Sequence, residues 1–179
     1  MRRILAVAGS AAFLVIAPGT VAGYIPWRIC RWHVEAPLVG IYLFRIFGVL
    51  LIAAGFLILL DSFARFAFQG FGTPAPVFPT RRLVVSGPYR YLRNPMYAAV
   101  VWLILGQGLF FGDVGVLEYG ISIWAACHVF VLIYEEPALR RVYGSEYEDF
   151  CKNVHRWVPR LRPWKQRERS ATKQNVPSS

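Results

Sequence analysis

Apolar residues in this chain gather into four long runs separated by short polar or Pro/Gly-rich segments. The runs are Ile4–Gly23, Leu38–Leu60, Met96–Phe111 and Val114–Tyr134. None shows the strict alternation of a half-buried strand, and their lengths suit helices. A bilayer core of about 30 Å needs roughly 20 helical residues at 1.5 Å each. The first, second and fourth runs meet that length. The third is shorter, and Tyr97 and Trp102 can sit at its interface. Gly112-Asp113 between the third and fourth runs predicts a tight turn and a helical hairpin. The segment Asp61–Asn94 carries Gly70, Gly72, Pro74, Pro76, Pro79, Gly87 and Pro88, so it cannot be one helix. Arg82-Leu83-Val84-Val85 suits a short extended piece. Pro137 suits a first helical turn, and Leu139, Val142, Tyr147 and Phe150 then share a face. The pattern predicts an amphipathic helix over Pro137–Asn153 under the bundle, with Gly144-Ser145 as a possible break.

The predicted architecture is all-α: a polytopic membrane bundle of about four spans with a cytoplasmic amphipathic C-terminal helix. Arg2-Arg3, the apolar stretch and Thr20-Val21-Ala22 also fit a cleaved secretory signal. With three further spans, a retained first helix is the simpler reading.

Charge then sets the orientation. With the N-terminus in the cytoplasm, seventeen basic residues lie inside and two, Arg28 and Arg31, outside; Arg45 is within a span. That bias places both termini in the cytoplasm. The formal charge of +10 is therefore largely topology and contact with anionic lipid. Composition agrees: 56% of the 179 residues are hydrophobic and only 17% charged, against about 25% charged in a soluble domain. Nucleic acid is a poor partner for runs this apolar. The residues after Trp164 are polar and basic and read as a disordered tail over 165–179.

Cysteine and histidine point nowhere in particular. Cys30, Cys127 and Cys151 lack paired spacing, no H-E-x-x-H exists, and no metal is expected. Gly106-Gln107-Gly108 followed by Gly112 is not a dinucleotide fingerprint; such small residues permit close helix contact. Arg45 can snorkel to the outer surface. His128 reads as a histidine paired within the bundle, and its seven-residue spacing from Glu135 would put the two on one helix face.

Two clusters could carry chemistry. Glu135 and Glu136 end the fourth run, where adjacent carboxylates at a bilayer edge are costly unless used. Ser86 to Tyr97 packs three tyrosines and two arginines around an Asn94-Pro95 helix start, with Asn94 as N-cap. Helix amides with Arg90 or Arg93 could hold an anion there. The hairpin brings the clusters together, and a zwitterionic amino acid head group would fit between them.

These residues resemble a known family. Arg93-Asn94-Pro95-Met96-Tyr97, a hairpin, Glu135-Glu136, Tyr143-Gly144-Ser145-Glu146-Tyr147 and Val158-Pro159-Arg160 are similar to the integral-membrane methyltransferases, which comprise isoprenylcysteine carboxyl methyltransferases and phospholipid N-methyltransferases. The resemblance covers about Arg81 to Trp164. It implies a single domain over 1–164 whose cofactor half is 81–164. It implies S-adenosylmethionine at the cytoplasmic face and a lipid-like acceptor in the membrane. Cofactor contacts fall by resemblance on Leu83, Val84, Tyr89, Asn94, Pro95, Met96, Tyr97, Glu135 and Glu136, with Glu136 orienting the acceptor as the catalytic candidate. Asn94 replaces the family's usual His, removing a titrating group. Val131 stands where the prenylcysteine enzymes carry a substrate-facing Arg. The Asn-Pro-Met-Tyr motif leans toward the phospholipid enzymes, and the Gly-x-x-Tyr tail toward the carboxyl enzymes. The amine acceptor is slightly favoured over the carboxylate. A non-catalytic membrane protein using the same bundle for lipid or partner contact is the alternative class.

Overall fold

A computed structural model of the chain describes residues 16–69, 83 and 85–164. Val84, most of the central loop, the start of the first run and the tail after Trp164 lie outside the described residues, and so do the expectations placed on them. Among the described residues there are helices and turns and no strand.

Helix α1 occupies 16–30 and contains a π-turn at Thr20–Tyr24 before its last segment, Ile25–Cys30. Helix α2 is Leu43–Gln69 and α3 is Pro95–Phe111. Helix α4 is continuous over Val114–Tyr143, with a π-turn at Val131–Glu135. Helix α5 is Ser145–Asn153. By length and composition, Leu43–Arg65 and Val114–Tyr143 can cross a membrane, and Pro95–Phe111 is a shorter apolar helix. Much of the apolar surface of α2, including Phe44, Phe47, Leu50 and Leu57, is bare. In a bilayer this is the lipid-facing side.

The π-turns have one cause. Pro26 and Pro137 each stand two residues beyond a π-turn, inside a helix that does not break. Proline removes an N–H and crowds the carbonyl four residues back. Widening the preceding turn relieves that clash. The carbonyls so released find other donors. Gln107 Nε2 of α3 donates to the Ala22 carbonyl at 2.7 Å, and Tyr119 Oη of α4 donates to that of Val21 at 3.1 Å. Both bonds tie α1 to the hairpin.

Glycine sets the helix spacing. A Cβ on Gly48 would come within 2.7 Å of the Gly106 carbonyl, and one on Gly106 within 2.7 Å of that of Gly48. The α2–α3 seam therefore closes backbone to backbone, as small residues allow in membranes. At the hairpin, Gly112 takes φ +78, and the Asp113 side chain accepts from Val116 N at 3.0 Å, capping α4.

Three boundaries differ from the sequence expectation. α2 runs nine residues past Leu60, where the Asp61–Arg65 pair at 2.8 Å supports the extra turns. α1 runs past Gly23 to Cys30. The helix expected over Pro137–Asn153 is two pieces. Its first half continues α4, and the break is at Gly144, whose φ 53 and ψ −127 suit glycine alone. Tyr147 and Phe150 of α5 and Val154 then form a buried cap, with Leu83, Val85 and Leu139 against it.

Candidate active site

The hairpin brings the start of α3 to the end of α4, as its short turn requires. There the two carboxylates part company. Consecutive helical residues point about 100° apart, so Glu135 and Glu136 meet different partners.

Glu136 is enclosed by cations. Arg156 Nε and Nη2 donate to its Oε1 and Oε2 at 2.5 and 3.0 Å, and Arg93 Nη1 to its Oε1 at 3.2 Å. Arg140 stands 3.9 Å away. The Arg93 and Glu136 side chains are only 10% and 5% exposed, so the pair is largely shut from solvent. The bond to Glu136, reinforced by its charge, raises the Arg156 guanidinium further above its ordinary value. Arg93 also donates to Cys151 Sγ at 3.0 Å.

Glu135 faces the other way. The Tyr97 hydroxyl of α3 donates to its carboxylate, and Tyr89 lies within electrostatic reach. Its Oε2 is buried and has no hydrogen-bond partner. A buried carboxylate oxygen without a donor costs free energy and marks a place where a ligand donor belongs. Burial, then Glu135, holds the Tyr89 phenol far above its usual range, so it remains an O–H donor.

A third layer closes this end of the hairpin. Residues 154–164 run alongside 90–94. Arg93 N donates to the His155 carbonyl, Arg160 N to that of Tyr91 and Trp164 N to that of Arg90, all at 2.9 Å. Arg90 Nε returns a bond to the Trp164 carbonyl at 2.9 Å.

The candidate residues thus separate. Tyr89, Tyr97 and Glu135 converge. Asn94 holds the N-cap position, but its side chain makes no cap and instead donates to the Arg156 carbonyl at 3.5 Å. Pro95 opens α3 and is buried. Met96 packs on Leu59, Phe63 and Ala99. Leu83 packs on the α5 cap. Arg90 and Arg93 serve the C-terminal segment. His128 and Glu135 also have separate partners. His128 Nδ1 accepts from Trp157 Nε1 at 2.9 Å, as a histidine paired within the bundle would.

The family profile described as phospholipid methyltransferase matches residues 43–146, more than half of the chain. The chain belongs to that family. Curated relatives fall on its other branch. A probable protein-S-isoprenylcysteine O-methyltransferase of Oryza sativa subsp. indica is 28% identical over 79 residues, 44% of this chain and 41% of the relative. A protein-S-isoprenylcysteine O-methyltransferase of Dictyostelium discoideum is 30% identical over 80 residues, 43% and 32% respectively. Protein-S-isoprenylcysteine O-methyltransferase B of Arabidopsis thaliana is 25% identical over 81 residues, 44% and 40%. The matched stretches thus span well under half the length of these relatives. No solved structure gives a significant match.

Within this family setting, sequence reasoning missed Arg156 and Trp157. Neither belongs to a motif, and both reach the bundle from the far side of α5. The signal that could have found Arg156 is the carboxylate of Glu136 itself. A buried charge demands a cation, and the nearest motif arginine supplies only one.

Proposed function

We propose that this membrane methyltransferase takes its methyl group from S-adenosylmethionine and gives it to a lipid-borne acceptor at the cytoplasmic face. The observation that carries this reading is the buried, donor-less Oε2 of Glu135 beside Tyr97. That carboxylate suits the ammonium of an amino acid moiety or a pair of ribose hydroxyls, as a charge-assisted acceptor. Tyr89 and Tyr97 would hold the rest of the cofactor from α3 and the turn before it, with Asn94, Pro95 and Met96 forming the helix start that shapes this wall. By the family resemblance Val84 would contribute too, as would Leu83, which packs on the α5 cap. The cofactor, when bound, supplies an activated methyl on sulfonium. The protein's own task is alignment, which can contribute roughly 7–11 kcal/mol to a two-reactant step.

Glu136 acts in this reading as a positioning group. Through Arg93 and Arg156 it fixes the C-terminal segment against α3, and so orients the wall that the acceptor meets. The seventeen-to-two charge bias supports a cytoplasmic location for this end and for both termini.

For the acceptor, the family profile and Val131 support an amine on a phospholipid head group. Val131 is 1% exposed in the helix core, so that position offers no guanidinium to a carboxylate. The names of the curated relatives support a prenylcysteine carboxylate as the second reading. Offering phosphatidylethanolamine and a farnesylcysteine analogue side by side, with radiolabelled cofactor, tests both. Label on the ethanolamine lipid is expected. Label on the farnesylcysteine alone would replace the amine by the carboxylate, and label on neither, with no cofactor bound, would remove the enzymatic reading.

A further inference from the structure

A groove of about 260 Å³ opens on the hairpin, lined by Val101, Trp102 and Leu105 of α3, Ile121 and Trp124 of α4, and Trp157. It contains no ionisable side chain. Leu105 lies ten residues into α3, so the groove reaches roughly 15 Å from the cytoplasmic end of the helix, well into the hydrocarbon layer. It is smaller than the roughly 300–1,000 Å³ of a small-molecule site, a size for one hydrocarbon chain and not for a whole amphiphile.

The mouth has a different character. Trp157 enters from the C-terminal segment, its ring 6.2 Å from Trp124 and its N–H satisfied by His128, while His128 stacks on Trp124 at 5.4 Å. Residues 150–164 hold Lys152, Arg156, Arg160 and Arg162 and no acid. Val158 and Leu161, between the last three arginines, are 66% and 100% exposed. A segment alternating bare apolar side chains with arginine belongs at a membrane interface, and its charge is complementary to an anionic head group.

We propose that the groove seats one acyl chain of an anionic phospholipid of the cytoplasmic leaflet, whose phosphate meets Arg160 and Arg162, the arginines that follow Trp157 in the chain. The lipid is a resident of the fold, distinct from the methyl acceptor. Its site has no reacting group, and His128 Nδ1 and both oxygens of Glu136 are already engaged.

Bromine on an acyl chain quenches tryptophan on contact. The full chain is reconstituted in phosphatidylcholine vesicles containing a small fraction of either dibromoacyl phosphatidylglycerol or dibromoacyl phosphatidylcholine. Quenching by the glycerol lipid is expected to saturate at several-fold lower mole fraction, given roughly fivefold per basic residue near the surface. Trp102→Phe, Trp124→Phe and Trp157→Phe together are expected to remove most of that excess, because these are the tryptophans that line the groove. Arg160→Gln with Arg162→Gln should abolish the excess and leave quenching by the choline lipid unchanged. Equal quenching by the two lipids in the wild type would overturn the proposal, as would an excess untouched by the triple tryptophan-to-phenylalanine variant. Relief of the excess by a farnesylcysteine analogue or by lysophosphatidylethanolamine would assign the groove to the acceptor instead, and likewise overturn it. No methyl donor is present, so this outcome and the fate of the proposed methyl transfer are read independently.

Discussion

At the scale of single residues, the site turns on which polar atoms have partners. Glu135 keeps one oxygen without a donor, whereas both oxygens of Glu136 are taken. Glu135→Gln preserves shape and removes charge. Affinity for S-adenosylhomocysteine, measured by calorimetry, should fall about 10- to 150-fold, the equivalent of about 1.5–3 kcal/mol for a charge-assisted bond. Unchanged affinity in a folded variant would sever Glu135 from the cofactor. Gln107 is a second residue with a defined burden, because it supplies the Ala22 carbonyl with a donor that Pro26 cannot. Gln107→Leu should lower unfolding stability in detergent by roughly 1–3 kcal/mol, the cost of a buried unsatisfied acceptor, with cofactor affinity unaltered. The glutamate pair itself was visible in the sequence as two carboxylates at a membrane edge. Their division of labour was not, because it depends on helix rotation and on Arg156, which is twenty residues away in the chain.

At the scale of helices, the sequence located the apolar segments and the Gly112-Asp113 hairpin well, since those follow from burial and turn chemistry. It placed helix ends poorly. Polarity begins at Asp61 and Glu135, but hydrogen bonding continues past both, in α2 through the Asp61–Arg65 pair and in α4 through Pro137. The proline read as a helix start was a helix interior made tolerable by a π-turn. The same turn explains why the seven-residue rule misled for His128 and Glu135. A turn holding one extra residue sets the following helix back by on the order of 100°. Glu135 therefore meets Tyr97, and His128 meets Trp157. Deleting Leu132, which is 40% exposed, should convert the turn to α geometry. Helix content by circular dichroism should persist while S-adenosylhomocysteine binding is lost. Retained binding would show that the π-turn does not aim Glu135.

At the scale of the whole molecule, charge and helix order make a vectorial prediction. A cysteine placed at Asp113, on the hairpin turn, should react with an impermeant reagent added outside intact cells, and one at Glu146 should not. Reaction at Glu146 would put the carboxylates and the arginine cluster on the wrong side for a cytoplasmic cofactor. The clasp between 90–94 and 154–164 has a consequence in time as well as in space. Its partners lie as far as 74 residues apart in the chain, and residues 154–164 are made after the helices they clasp. Synthesis proceeds from the N-terminus at roughly 5–20 residues per second. The helices can therefore enter the membrane, and the hairpin can close, before Arg156 exists to meet Glu136. For that interval the new chain carries the hairpin without its finished wall. On the proposed reading the wall that orients the acceptor thus closes only after the hairpin has formed, and a chain stopped shortly after α5 would insert yet lack that wall.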